Sequence, residues 1–190
     1  HDLAVITGGA GGHLVVVDVR SPEQPRVVAT LDIAAGRMAL RGSLLYVTQG
    51  PAGLAVYDVS VPAAPRRIGG YDSPGTALDV AVSADGGLAV VADKTALKVV
   101  DVSDPTGPHE VGSYTPAQDQ QCYPYVSPED CRTVERVRLA GQQAFVMLRR
   151  CDDAFSCRAA GGLRVEDLAE PAAPREVASH AARANPTAIA

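Results

Sequence analysis

Four stretches of this 190-residue chain follow one pattern: Leu14–Pro25 (LVVVDVRSPEQP), Leu54–Pro65 (LAVYDVSVPAAP), Leu97–Pro108 (LKVVDVSDPTGP) and Leu163–Pro174 (LRVEDLAEPAAP). In each, an Asp follows the Leu by four residues, and two Pro follow that Asp by four and by seven. The Asp residues are Asp18, Asp58, Asp101 and Asp167, at intervals of 40, 43 and 66, so the last interval carries an insertion. A unit of about 40 residues cannot bury a two-faced core alone, so the copies must stack on one another.

Each copy reads as four short strands. The third copy is the clearest, with ALDVAVS, a turn at Ala84-Asp85-Gly86-Gly87, LAVVA, the motif strand, and a closing strand up to Tyr114. Val-rich runs punctuated by Gly and Pro are strand and turn signals. Apolar residues on both faces (VVVDV, LAVVA) call for sheets covered on both sides. The expectation is therefore an all-β chain, a β-propeller of about four four-stranded antiparallel blades forming a single domain over residues 1–190. The chain begins at the second strand of a unit and ends on NPTAIA, which is similar to a unit opening. Asn185–Ala190 would then complete the first blade and close a four-bladed ring. Alternatively the chain is a segment cut from a larger propeller, which the start without Met favours.

The residues VVVDVRSP, LAVYDVSVP, LKVVDVSDP and, more loosely, LRVEDLAEP resemble the LVIVD repeat. This propeller-forming repeat occurs in bacterial and archaeal proteins, many of them secreted or surface-attached. The resemblance implies a propeller and an extracytoplasmic setting (extracellular, cell-surface or periplasmic) and says little about activity. The fourth copy departs from the pattern, with Glu166 where the others carry an apolar residue before the Asp.

The repeated Asp residues are read as structural. Each ends a strand before a Pro-containing connection, where its carboxylate can accept backbone N–H bonds two or three residues on. A site is normally built once, not once per blade. The net charge of −5, with both signs interspersed, argues against a nucleic-acid surface. No apolar run reaches the roughly 18 residues of a membrane span. No P-loop, G-x-S-x-G elbow or H-E-x-x-H occurs, and no cofactor or resident metal is expected.

Two polar insertions break the repeat, at residues 116–134 and 149–161. They hold all four cysteines: Cys122 and Cys131 in the first, Cys151 and Cys157 in the second. An even count in loops suggests disulfides and an oxidising compartment. Pairing within each insertion is the local solution, and pairing between the two remains open. Spacings of eight and five residues between the partners do not suit structural zinc. Asp152 and Asp153, with Glu129 and Asp130, are candidate Ca²⁺ or partner contacts. In an up-down meander both insertions leave the same end of the ring, the kind of loop-bearing end that carries function.

A second candidate is the channel mouth at that end. Arg37, Asp79 and Arg136 align at the start of the innermost strands, and Arg138 lies two residues further on. The functional expectation is a non-enzymatic binding module presenting disulfide-bearing loops to a protein or glycan partner at the cell surface. The alternative is a hydrolase or lyase using Arg136, Arg138 and Asp79 at the channel mouth.

Overall fold

The computed structural model describes residues 3–8, 12–116, 132–150 and 161–182. Every regular element among them is a β-strand. The first sheet holds β1 (Leu3–Gly8), β2 (His13–Asp18) and β3 (Arg26–Leu31). The second holds β4 (Met38–Arg41), β5 (Leu44–Thr48), β6 (Leu54–Asp58) and β7 (Arg66–Tyr71). The third holds β8 (Ala77–Val82), β9 (Leu88–Asp93), β10 (Ala96–Asp101) and β11 (His109–Tyr114). The fourth holds β12 (Arg132–Ala140), β13 (Gln143–Arg150), β14 (Gly162–Asp167) and β15 (Arg175–Ala181). Each sheet is an antiparallel meander in sequence order, with three strands described in the first and four in the others. This is the blade pattern of a β-propeller. No helix among the described residues is long and apolar enough to cross a membrane.

The repeat dictates the register. The motif Asp pairs with the first residue of the preceding strand in all four sheets: Leu3, Leu44, Leu88 and Gln143. The pairing of third with fourth strand slips by one residue at the same place each time, between Val16/Val17, Val56/Tyr57, Val99/Val100 and Val165/Glu166. A bulge in one position of every blade is part of the fold's design, bending the outer strand away from its partner.

The motif Asp residues fasten the turns that follow them. Asp18, Asp58, Asp101 and Asp167 each accept the backbone N–H two residues on, at 3.0, 2.8, 2.9 and 3.0 Å. The next four residues close a second turn, with N–H to C=O bonds from Gln24 to Ser21, Ala64 to Val61, Gly107 to Asp104 and Ala173 to Glu170. Pro22, Pro62, Pro105 and Pro171 occupy the second position of those turns, where a fixed φ is already correct and no N–H is needed. Asp101→Ala is expected to cost about 1 kcal/mol, the scale of a lost capping bond. Chemical denaturation checks this, and a mutant as stable as the parent contradicts the anchoring role.

The core lies between sheets. One apolar cluster joins the first and second sheets through Leu14, Val16, Leu45 and Val47. Another joins the second and third through Tyr46, Val56, Val91 and Val100, and another the third and fourth through Val90, Leu97, Val137 and Val146. Polar struts cross the last two interfaces. Tyr71 donates its hydroxyl to Glu110, which also takes Lys98 Nζ at 3.1 Å. Tyr114 donates in the same way to Glu176, which lies 3.5 Å from Arg164 Nε. Desolvation, then the neighbouring carboxylate, raises both phenol pKa values above the usual range.

Glycine sets how closely the sheets approach. A Cβ on Gly69 would stand 2.1 Å from the Pro105 carbonyl oxygen, and one on Gly112 would stand 2.1 Å from that of Pro171. At each interface, then, the outer strand of one blade touches the Pro turn of the next. In the first sheet the same register position, opposite Val16, is Ala29. There a cavity of about 500 Å³ opens between the sheets, lined by Leu3, Val28 and Pro62 among others. Residues 185–190, expected as a closing strand, lie outside the described residues.

Candidate binding site at the channel mouth

The polar residues singled out lie on the innermost strands β8 and β12 and, for Arg37, just before β4. Register places Asp79 opposite Ala92 and Arg136 opposite Met147, and the Arg37 carbonyl accepts the Thr48 N–H at 2.9 Å. Thr48, Ala92 and Met147 are equivalent positions, so Arg37, Asp79 and Arg136 do form one column. Their roles differ. Asp79 is only 2% exposed. Its Oδ1 accepts the Val80 N–H at 3.0 Å, and its Oδ2 accepts the Val137 N–H at 3.1 Å and Arg138 Nη1 at 3.3 Å. Both oxygens are engaged, so Asp79 braces the third sheet against the fourth and does not present a free base.

Arg37 is held by its backbone. Thr48, fully buried, accepts the Arg37 N–H through Oγ1 at 2.9 Å and donates that hydroxyl to the Arg37 carbonyl at 3.1 Å. The Gly36 N–H bonds the Thr48 carbonyl, and Thr7 Oγ1 donates to the Gly36 carbonyl at 3.1 Å. The chain is thereby clamped on either side of Arg37 while its side chain stays exposed. A cavity of about 460 Å³ results, lined by Thr7, Gly36, Arg37, Met38, Asp79 and Arg138. Two arginines and one aspartate are among the residues that line it, a net positive charge.

Arg136 is not on that wall; its Nη1 donates to the Glu135 carbonyl at 3.0 Å. Asp152, Asp153 and the four cysteines lie outside the described residues, as do Glu129 and Asp130. The strands that flank the insertions are described. Arg132 pairs with Arg150 and Thr133 with Arg149, at the start of β12 and the end of β13. Both insertions therefore leave the fourth sheet at one end. Thr7, at the end of a second strand, and Arg37, just before an innermost strand, mark the same end of their own sheets. Thr7 and Thr48 were not singled out from the sequence. The available signal was a threonine at 48 where the corresponding residues, Ala92 and Met147, are apolar.

The family model described as the LVIVD repeat matches residues 34–73 and 74–116. Residues 34–116 carry two LVIVD repeats. The matched stretches are the second and third blades, including two of the four motif strands. Among solved structures, a functionally unknown protein from Desulfotomaculum acetoxidans aligns over 96% of this chain and 53% of its own, with a TM-score of 0.66 at 14% identity. A protein from Lactobacillus plantarum aligns over 95% and 54%, with a TM-score of 0.70 at 14% identity. Sqt1 of Saccharomyces cerevisiae aligns over 79% and 36%, with a TM-score of 0.56 at 8% identity. The chain thus spans about half the length of the two bacterial structures. Likeness at these identities shows the fold alone. No curated protein matches the chain.

Proposed function

We propose that this LVIVD-repeat chain is a non-enzymatic, extracytoplasmic interaction module. It presents the insertion-bearing end of the propeller to a protein or glycan partner. The observation that carries this reading is the coincidence at one end of the blades: both insertions depart where β12 and β13 pair, and the positively charged cavity lies at that end. Rigid strands with long polar insertions at one edge are the usual way a scaffold carries a recognition surface. The cysteines support the setting, since all four fall in the insertions and none in the repeat. In this reading they are disulfide-bonded and staple the recognition loops. The cavity adds a subsite for an acidic group of the partner, held by Arg37 and Arg138.

The test compares three proteins on a glycan array and against the surface-protein fraction of the source cells. They are the parent, a form with residues 117–131 and 151–160 replaced by short Gly-Ser connectors, and Arg37→Ala. The trimmed form is expected to lose binding while unfolding at the parent's temperature, and Arg37→Ala to bind at least about tenfold more weakly, the scale of one desolvated charged contact. Binding by the trimmed form at full strength rules out the insertions as the recognition surface.

A further inference from the structure

We propose that the seam between the third and fourth sheets is a pH-sensitive latch, held shut by the protonated side chain of Glu166 and loosened as pH rises. The residue before the motif Asp is Val17, Tyr57, Val100 and Glu166 in the four blades. Tyr57 packs in the cluster shared with the first sheet, and Val100 in the cluster shared with the second. Glu166 occupies the same register position of the fourth sheet and so faces the third. It is 0% exposed, and neither of its carboxyl oxygens has a hydrogen-bond partner among the described residues. A carboxylate in that position faces a large desolvation cost with nothing to offset it.

The neighbouring seam is an internal control. Between the second and third sheets stand Tyr71, Glu110 and Lys98, one acid with one base, and Val100 occupies the critical position. Between the third and fourth stand Tyr114, Glu176 and Arg164, the same arrangement, plus Glu166. Glu166 pairs directly across the strands with Glu176 in register. Arg164 is already the partner of Glu176, so the second carboxylate finds no free cation among the described residues. Burial first, then the charge of Glu176, raises the Glu166 pKa from 4.5 to about 7, with Arg164 opposing.

The sign follows from proton uptake. With its pKa raised on docking, Glu166 binds a proton more tightly in the closed seam than in the open one. Its contribution is complete below about pH 4.5, falls as pH rises toward 7, and is gone above that. Opening of the seam should increase by up to tenfold per pH unit between about 5 and 7, then level off. The fourth sheet bears both insertions, so their anchorage to the ring follows the same curve. The latch itself does not depend on what the insertions bind.

Native-state hydrogen exchange, corrected for intrinsic rates, reads this directly. In the parent, opening of β12–β15 is expected to rise on the order of a hundredfold from pH 5 to pH 8, while β4–β7 stays level. Glu166→Val, which installs the residue found at 17 and 100, should flatten the profile without unfolding the chain, and Glu166→Gln should flatten it at an intermediate level. A ¹³C-carboxyl titration of Glu166 near 4.5, or a parent profile that Glu166→Val leaves unchanged, overturns the proposal.

Discussion

Gly112→Ala is expected to destabilise the chain by about 3 kcal/mol, the upper range for an overpacked interface. The added Cβ meets backbone: the Pro171 carbonyl oxygen at 2.1 Å and Ala172 Cα at 3.0 Å. A flexible side chain can swing away from such a contact, but a carbonyl inside a fastened turn cannot. That turn is held by the Asp167 carboxylate and by the Ala173 to Glu170 bond. Relief therefore requires the third and fourth sheets to part, at the expense of the cluster around Leu97 and Val146. The matching control is Ala29→Gly in the first sheet, where the seam is already open. It should shift stability by no more than the ~1 kcal/mol that a glycine costs in a strand. Urea denaturation of both variants decides the matter, and equal stability of Gly112→Ala and parent would mean that the seams do not depend on glycine.

The glycine rule shows what was legible in the sequence and what was not. Blade number, strand order and the turn-fastening role of the Asp residues follow from spacing alone, because the repeat states them four times. A feature stated four times averages out the ambiguity of any one short apolar run. The seams are contacts between copies, and the repeat does not announce them. Gly69 and Gly112 look like ordinary strand glycines until the Pro turns of the next blade are placed against them. Asp79 shows the same limit. Its column was visible, but its use was not, since its partners are two backbone amides and an arginine on another strand. The sequence places Arg136 in that column and Arg138 beside it, with no sign of which one lines the cavity. They share one face of β12, two residues apart, but Arg138 Nη1 reaches the Asp79 carboxylate beside the cavity while Arg136 Nη1 turns to the Glu135 carbonyl. Glu166 was noticed only as an irregularity in the motif, and its burial gives that irregularity physical content.

Leu97→Ala is expected to cost about 3 kcal/mol, within the range for truncating a fully buried leucine. Leu163→Ala, at the same place in the motif, should cost about 1 kcal/mol. Leu14, Leu54 and Leu97 are 0–1% exposed because each faces the following blade. Leu163 is only partly buried, and β15 beside it is exposed along its length, with Val177 at 47%. One sequence position therefore has two energetic values, set by whether a sheet covers it. Where a sheet does, truncation leaves a cavity between rigid layers and loses packing on both sides. Where none does, the alanine surrenders only part of a transfer term. Measuring the two variants side by side in the 190-residue chain thus tests whether the outer face of the fourth sheet is covered. A Leu163→Ala loss as large as that of Leu97→Ala would show that the outer face of the fourth sheet is covered in solution, by the first sheet of the same ring or by another copy. Dilution separates the last of these, since a contact between copies weakens with concentration and a contact within the chain does not.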